Sequence, residues 1–325
     1  MLYNVLMDVG GTFAHFVMAA CTFIISFLSI LYFRNILPKD QGREFAVNGA
    51  LSQGKPRGAG IIFVTTFTLC TALFVPLSLE NVLYLAFIYG AMMSGYLDDG
   101  AAVPWGNLKK GLIDLVIALG SSITYYVYNG SRVKLFLFDT TIRMPMVIFI
   151  ILGAVLVWTA INVTNCTDGV DGLCAALVMI VLAFLLYSGL FKSGERVMLL
   201  IMMITLGSYL WFNCSPSMLL MGDAGSRALG VFLAIMFMKS SAPFLFIPFT
   251  LVIILDGGLG LLKVSFIRFL KLNGFMKNIR TPLHDHARKN KGWSDTQVVM
   301  RFSLIQILCS VLYLSFLRYV LLVSE

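Results

Sequence analysis

Charged side chains are scarce in this chain of 325 residues. Asp, Glu, Lys and Arg make up only 12% of the residues, whereas 59% are hydrophobic. Soluble domains carry about 25% charged residues, so the composition excludes an ordinary water-soluble fold. The apolar runs have the length of membrane-spanning helices and are too long for barrel strands. The sequence therefore predicts an all-α integral membrane protein that forms a single polytopic domain over residues 1–325.

Cysteine and histidine patterns typical of metal centres are also missing. The six cysteines are scattered, mostly inside apolar runs, and no C-x-x-C pair occurs. This spacing argues against a zinc site and against a disulfide framework. Only three histidines are present, two of which are His284 and His286. A His-x-His pair can ligate zinc, but no further His or Cys nearby completes a ligand set.

Ten apolar segments are candidates for membrane spans. The eighth is short and is expected to start earlier, near Ala224, and the ninth is expected to bend or break at Asp256-Gly257-Gly258. No internal repeat is visible, which argues against a transporter built from two inverted halves. The segments are residues 12–33, 58–79, 82–97, 112–128, 144–160, 173–191, 197–212, 228–238, 244–266 and 302–323.

Lysine and arginine are distributed unevenly among the loops. With both termini outside, the inner loops are 34–57, 98–111, 161–172, 213–227 and 267–301, and these loops with their flanks hold most of the 24 basic residues. Cytoplasmic loops are rich in Lys and Arg, so this orientation is favoured. The net charge of +8 is accordingly interpreted as loop charge, and no nucleic-acid partner is expected.

The acid-rich polar stretches all fall on this predicted inner side. Each has an ordinary structural interpretation, because Asp and Asn also cap helices and basic residues beside a membrane also orient the protein. Taken alone, GKPRGAG (54–60) is best explained as a turn that flanks the membrane. Several such stretches on one face favour a functional site instead. They are GYLDDG with Asp98 and Asp99, NVTNCTDGVDG with Asn162, Asn165, Asp168 and Asp171, MGDAGS with Asp223, and TPLHDHARKNKGW with His284 and His286.

Clustered Asp carboxylates without thiols suit a hard cation that prefers oxygen ligands, so Mg²⁺ or Mn²⁺ is favoured over zinc. Such an ion bridges one or two carboxylates to substrate phosphates, and Lys, Arg and His neutralise the remaining charge. The number of spans suggests that one reactant is a lipid phosphate, which meets a soluble nucleotide at the inner surface. The pattern therefore predicts metal-dependent phosphoryl transfer in the membrane.

The chain resembles the polyprenyl-phosphate phosphosugar transferases in four sequence motifs. GYLDDG, N-x-x-N-x-TDGVDGL, LWFN…MGDAGSRALG and TPLHDH…KGW occur in the family's order and span nearly the whole chain. The last motif favours the muramoyl-pentapeptide branch. The resemblance implies ten transmembrane helices in the bacterial inner membrane, a cytoplasmic active site and a homodimer. It also implies transfer of phospho-MurNAc-pentapeptide from UDP-MurNAc-pentapeptide to undecaprenyl phosphate, giving lipid I and UMP.

The resemblance also implies roles for individual residues. Asp98 matches the base toward the lipid phosphate, with Asp99 as its neighbour, and Asp223 matches the principal Mg²⁺ ligand. His284 matches the first of three family histidines, and Lys109 matches a lysine downstream of the paired aspartates. The matches to substrate-binding positions are Lys55, Lys109, Asn162, Asn165, Asp168, Asp171, Asn213 and His286.

Departures from the family pattern keep alternatives open. His284-Asp285-His286 replaces three consecutive histidines, and Leu220 stands where the family often has an aromatic residue for uracil stacking. One alternative is therefore a transferase that uses UDP-GlcNAc. A cation-coupled transporter using intramembrane acids such as Asp256 is the other rival, but it predicts acids at mid-membrane, whereas most acids here lie at the inner rim. Neither Asp256 nor Asp114 has a partner that the sequence identifies.

Overall fold

The computed structural model of the chain consists mainly of α-helices packed against one another. It describes residues 11–42, 52–101, 103, 105–272 and 274–323. Each of the ten predicted apolar segments contains a helix, because only helices and closed barrels satisfy the backbone within lipid. The helices are α1 (Gly11–Phe33), α2 (Gly60–Phe74), α3 (Leu79–Asp99), α4 (Asn107–Asn129), α5 (Met146–Thr167), α6 (Leu173–Tyr187), α7 (Ser193–Asn213), α8 (Gly222–Lys239), α9 (Phe246–Phe249), α10 (Leu251–Ile253), α11 (Leu259–Leu270), α12 (Leu283–Lys291) and α13 (Asp295–Val323).

Five helices in the described part of the chain are long and apolar enough to cross a membrane. A sixth span results if the two parts of the bent pair Pro243–Phe249 and Leu251–Leu270, which meet at 73°, are counted together. Helices α2 and α6 are apolar but shorter. The chain is thus a helical membrane protein, and the count of ten spans stays a prediction. The five are Phe13–Ile36, Asn107–Asn129, Met146–Thr167, Ser193–Asn213 and Asp295–Leu317.

The ninth apolar segment bends, as the sequence predicts, but the bend lies ahead of the Asp256-Gly257-Gly258 motif. The helix axis breaks at Thr250, between α9 and α10. The buried side chain of Gln306 donates to the Phe249 carbonyl at 2.8 Å and accepts the Val252 N–H at 3.1 Å. Backbone groups freed inside an apolar layer need partners from the protein, so Gln306 stabilises this break.

A short β-hairpin corrects the prediction of a wholly α-helical chain. Strands β1 (Arg132–Leu135) and β2 (Thr140–Arg143) pair antiparallel, with Arg132 opposite Arg143. The Lys134 N–H donates to the Ser241 carbonyl at 2.8 Å and ties the hairpin to the residues after α8. Strands of four residues are too short to give a clear alternating pattern, which is why the sequence does not reveal them.

Helix α8 forms the centre of the bundle and joins its two ends. All residues from Ala224 to Met238 are buried, as expected for a helix that neighbours enclose on all sides. Asp223 lies in its first turn and Lys239 is its last residue. We call the end with Asp98, Asp168 and Asp223 the aspartate end. The end where Glu80 and Glu195 meet Lys239 is the glutamate end.

Candidate active site

The paired aspartates end α3 directly beside the start of α8. Asp98 and Asp99 are the last two residues of α3, and Asp223 is the second residue of α8. The helices meet at Gly95, where an added Cβ atom would lie 2.3 Å from the Asp223 carbonyl carbon. A side chain would prevent this approach, so glycine brings the three carboxylates together.

Two cations lie between these three carboxylates. The Arg57 Nη2 atom is 2.8 Å from Asp99 Oδ1 and 3.9 Å from Asp223 Oδ1. Lys110 forms an ion pair with Asp98, and its Nζ atom is 3.7 Å from Asp223 Oδ2. The Asp223 side chain is 16% exposed, against 5% for Asp98 and 2% for Asp99. Asp223 is therefore the most accessible of the three, and its contacts with Arg57 and Lys110 are both longer than a hydrogen bond.

Arg57 is also held from its other side by Asp40. Its Nη1 atom donates to Asp40 Oδ1 at 2.9 Å, and the Ser52 hydroxyl donates to Asp40 Oδ2 at 2.5 Å. Burial lowers the pKa of the Arg57 guanidinium, but the carboxylates around it, Asp99 first among them, outweigh that effect and raise the pKa above its ordinary value. Arg57 stays charged, so four carboxylates (Asp40, Asp98, Asp99, Asp223) against two cations leave a formal charge of −2.

A short backbone ladder fixes the GKPRGAG segment to the loop before α8. Arg57 and Leu220 form a parallel bridge, and Lys39 and Pro56 form an antiparallel one. The Leu220 N–H donates to the Pro56 carbonyl at 2.8 Å, and the Ala59 N–H donates to the Leu220 carbonyl at 3.0 Å. The turn before α2 thus lies within the candidate site, a position that its composition alone does not predict.

Lys55 joins the TDGVDG loop to the loop after α7. Its Nζ atom donates to the Ser217 hydroxyl at 2.9 Å and lies 3.7 Å from Asp171 Oδ2. The same Asp171 oxygen accepts the Ser217 N–H at 3.0 Å. The side chains of Lys55 and Asp171 remain 25% and 19% exposed, so both are accessible to a ligand.

The predicted asparagines make contacts within the protein. Buried Asn213 accepts the Gly172 N–H and donates to the Leu219 carbonyl, both at 2.9 Å, and so shapes the two loops around Lys55. Asn162 donates to the Trp158 carbonyl of its own helix at 2.8 Å. Asn165, one turn further along, accepts the backbone N–H of Asp168 through its carbonyl at 3.1 Å. Asn162 and Asn165 thus lie near the end of α5, and Asn213 is the last residue of α7.

His284 is buried and is oriented by Asp256. Asp256 lies in a π-helical turn (Ile254–Gly258) and accepts the His284 backbone N–H at 2.7 Å. The Nδ1 atom of His284 lies 2.8 Å from the other Asp256 oxygen, so Nδ1 carries the proton toward the carboxylate. The Nε2 atom faces Gly169, where an added Cβ would lie only 2.2 Å away. The TDGVDG loop thus packs directly on the imidazole.

Helix α12 is docked on the same loop through Arg288, whose Nη1 atom donates to the Gly169 carbonyl at 3.1 Å. His286 has a different environment, since its Nδ1 accepts the Arg280 N–H at 3.3 Å within its own segment. Of the two predicted histidines, His284 is the one in contact with the TDGVDG loop.

The two lysines at the start of α4 have different partners. Lys109 is exposed and lies over the Trp105 ring, with Nζ 3.3 Å from the ring centroid. Lys110, which the sequence gives no reason to prefer, is the lysine between Asp98 and Asp223. The backbone N–H of Trp105 donates to Asp98 Oδ1 at 2.7 Å, so the loop after α3 also holds that carboxylate.

Asp114 and Asp256, the two acids for which the sequence identifies no partner, each form an ion pair in the structure. Asp256 binds His284, and Asp114 forms a buried ion pair with Arg227. Asp114 lies one turn after Lys110 in α4, and Arg227 lies one turn after Asp223 in α8. The two helices are therefore joined by two consecutive charged contacts, one at the site and one deeper in the bundle.

Comparison with known proteins identifies the relatives of this chain. Residues 81–241 match the model of a family described as glycosyl transferase family 4. A phospho-N-acetylmuramoyl-pentapeptide-transferase from Treponema pallidum (strain Nichols) is 38% identical over 291 residues, which cover 83% of this chain and 80% of that protein. The chain belongs to the phospho-N-acetylmuramoyl-pentapeptide-transferase family. The resemblance seen in the sequence motifs is thereby confirmed.

Other members of the family are similar over different shares of the chain. The protein of Wolbachia sp. subsp. Drosophila simulans (strain wRi) is 27% identical over 322 residues, which cover 91% of this chain and 97% of the relative. The protein of Dictyoglomus thermophilum is 33% identical over 198 residues, which cover 61% of this chain and 60% of that relative. Membership makes the chain a phosphosugar transferase and removes the support for a transporter. The muramoyl-pentapeptide names of the relatives do not favour the UDP-GlcNAc alternative.

Proposed function

We propose that the protein transfers phospho-MurNAc-pentapeptide from UDP-MurNAc-pentapeptide to undecaprenyl phosphate, giving lipid I and UMP in peptidoglycan synthesis. The observation that carries this proposal is the convergence of Asp98, Asp99 and Asp223 between Arg57 and Lys110. Carboxylates suit a divalent cation, and flanking cations suit two phosphate-bearing substrates. The name shared by the relatives supports the muramoyl donor.

The carboxylate set fits Mg²⁺, with Mn²⁺ as the second choice. Its donors are oxygen atoms and its formal charge is −2, which suits a hard dication. Among the described residues no three acidic, histidine or cysteine side chains form a ready-made metal cage. Mg²⁺ commonly binds one or two carboxylates and completes its shell with water and substrate phosphates, and Asp223 is the accessible carboxylate. When bound, the ion would stabilise negative charge on the leaving phosphate.

The reaction is a direct displacement at the sugar-linked phosphorus of the donor. An oxygen of the lipid phosphate forms the new P–O bond, the bond to the UMP oxygen breaks, and the electron pair leaves with UMP. Asp98 keeps the attacking oxygen deprotonated, while Lys110 and Arg57 neutralise phosphate charge. A covalent phospho-aspartate at Asp98 or Asp99 is the two-step alternative. Isolation of a phosphorylated protein after incubation with the donor alone would contradict direct attack.

The groups around the TDGVDG loop bind the nucleotide in this proposal. Lys55 and Asp171 are partly exposed and share the Ser217 contact, so they form a polar wall beside the carboxylates. His284 supports the loop through its contact with Gly169 and so has a positioning role in the proposed site. The remaining residues assigned to this pocket are Asn162, Asn165, Asp168, Asn213 and His286, whereas Lys109 is exposed and lies over the Trp105 ring.

The aspartate end faces the cytoplasm in the proposed arrangement, with ten spans in the bacterial inner membrane, both termini outside and a homodimer as the unit. The excess of Lys and Arg in the loops at this end supports that orientation. Cysteines introduced at Lys109 and, as control, at Ser193 of the glutamate end would test it. A membrane-impermeant thiol reagent added outside intact cells should label only the second, and labelling of the first alone would reverse the orientation.

The donor is tested by incubating the purified protein with undecaprenyl phosphate, Mg²⁺ and either UDP-MurNAc-pentapeptide or UDP-GlcNAc. We expect UMP release with the muramoyl donor and little with UDP-GlcNAc. Release from UDP-GlcNAc alone would contradict the proposed substrate and leave the phosphosugar-transferase activity in place.

A further inference from the structure

Arg57 has contacts that go beyond the neutralisation of one charge. Its guanidinium lies within 4 Å of one carboxylate from each of three separate segments. Nη1 is 2.9 Å from Asp40 Oδ1, and Nη2 is 2.8 Å from Asp99 Oδ1 and 3.9 Å from Asp223 Oδ1. The Asp223 contact is the longest of the three, and Asp223 is the most exposed of the three carboxylates. That oxygen is therefore the one that a competing cation can take over most easily.

We propose that Arg57 competes with the divalent cation for Asp99 and Asp223, and releases them when the pyrophosphate of the UDP-sugar gives its guanidinium a new partner. The idea rests on the proposed function, because that function supplies both the metal and the pyrophosphate. Its consequence is that metal and nucleotide bind cooperatively and that the empty protein has a low affinity for the metal alone.

The physical basis is that a guanidinium and a divalent cation bind the same carboxylate oxygens and repel each other. Charges about 4 Å apart interact strongly in a partly buried site, so both cations cannot occupy the pair of aspartates without cost. The planar fork of arginine matches a phosphate as well as a carboxylate, which gives Arg57 an alternative partner once the donor is present. Nη2 is the atom that would exchange partners.

Asp40 makes such an exchange practical. It holds Nη1 at 2.9 Å, and the ladder with Leu220 fixes the Arg57 backbone. The side chain therefore remains at the site after Asp99 and Asp223 are released. Lys110 has a different arrangement: among the residues that the structure describes, its ion pairs are the close one with Asp98 and the longer one with Asp223.

Binding measurements on the purified full-length protein test the proposal without turnover. Mn²⁺ affinity is measured by electron paramagnetic resonance, and UDP affinity is measured by calorimetry in EDTA. We expect Arg57→Gln to bind Mn²⁺ about tenfold more tightly, and UDP without metal about tenfold more weakly, since coupled sites commonly differ by such factors. Arg34→Gln is the matched control. Arg34 lies at the same end and contacts the Met218 sulfur and the Phe212 ring, and its loss should change neither affinity.

Unchanged or weaker Mn²⁺ binding by Arg57→Gln would overturn the proposal, and so would an equal gain in Arg34→Gln. If Arg57→Gln does not fold, Arg57→Lys provides the test, because a single ammonium cannot contact Asp99 and Asp40 in the same way. It should bind Mn²⁺ more tightly than the unmodified protein, and an unchanged affinity would again contradict competition. Failure of the proposed function is separate, since it would appear as absent phosphosugar transfer with Mn²⁺ binding unaffected.

Discussion

The two ends of the helix bundle each join acidic and basic side chains, but they hold them differently. At the glutamate end, Lys239 lies 2.9 Å from Glu80 and 3.1 Å from Glu195. Asn129 donates to the same Glu80 oxygen at 2.6 Å and Tyr84 donates to it at 3.1 Å. At the aspartate end, the cation contacts of Asp223 are 3.7 and 3.9 Å.

The difference separates a closely paired ion cluster from a carboxylate with longer cation contacts. The Lys239 cluster draws its residues from the ends of α3, α4, α7 and α8, and its contacts are within hydrogen-bond distance, so it ties four helices together. Asp223 has longer cation contacts at a similar exposure, 16% against 15% for Glu80 and 12% for Glu195, and these longer contacts suit the metal site proposed above. Charge at the end of a helix therefore does not by itself identify a site, and the longer cation contacts are what distinguish Asp223 from the glutamates.

The largest effect is expected at Asp223. Asp223→Asn removes one negative charge from the accessible carboxylate, and we expect turnover to fall about a thousandfold because the charge stabilisation is lost. The measurement is UMP release at saturating Mg²⁺, together with the unfolding temperature in detergent, which should change little. Near-normal turnover at saturating Mg²⁺ would refute the metal assignment.

The two neighbouring lysines sharpen the comparison within the aspartate end. Lys110→Met removes the cation between Asp98 and Asp223, and we expect about a hundredfold loss of turnover. Lys109→Met loses only an exposed contact with the Trp105 ring, so less than about a threefold change is expected. Steady-state kinetics of the two variants check this. Equal losses, or the larger loss at Lys109, would contradict the placement of Lys110.

A methyl group at Gly169 should displace the His284 imidazole. Its Cβ would lie 2.2 Å from Nε2, and we expect Gly169→Ala to lower kcat about tenfold because a small displacement of a group at a site is costly. Gly111→Ala is the control, because the added methyl meets nothing within 4 Å. Similar kinetics of the two variants would show that the contact between His284 and the loop does not matter.

The smallest effect on turnover is expected at the glutamate end. Lys239→Met leaves Glu80 and Glu195 without their shared cation, and we expect the free energy of unfolding to fall by about 3 kcal/mol. Turnover per folded molecule should stay the same, because the cluster lies at the far end of α8. Thermal unfolding and kinetics on the same preparation check both points. A loss of turnover with unchanged stability would assign this cluster to the reaction.

Much of the architecture can be predicted from the sequence, because long apolar runs leave the backbone few alternatives to helix. The acid-rich motifs could also be found, since carboxylates between glycines at span ends are unusual. The partners of these acids could not be predicted. Asp114 and Arg227 are 113 positions apart, and Asp256 and His284 are 28 apart, so only tertiary packing brings each pair together.

Arg57 and Lys110 show why local reasoning is incomplete at the site itself. GKPRGAG is a normal turn by composition, and its role follows only from the ladder with Leu220. The choice between Lys109 and Lys110 depends on the rotation of the first turn of α4, and a one-residue difference moves a side chain by about 100° around the axis. The small β-hairpin and the Gln306 contact with the broken ninth segment likewise depend on neighbours distant in sequence.

Transfer of the sugar-linked phosphate is the central claim, and the most direct test follows that phosphorus. The purified protein is incubated with UDP-MurNAc-pentapeptide labelled with ³²P in the sugar-linked phosphate, together with undecaprenyl phosphate and Mg²⁺. We predict that the label moves into the lipid fraction while unlabelled UMP is released in equal amount. Label that stays in the aqueous phase as UDP would show that the sugar moves without its phosphate, and would contradict the account.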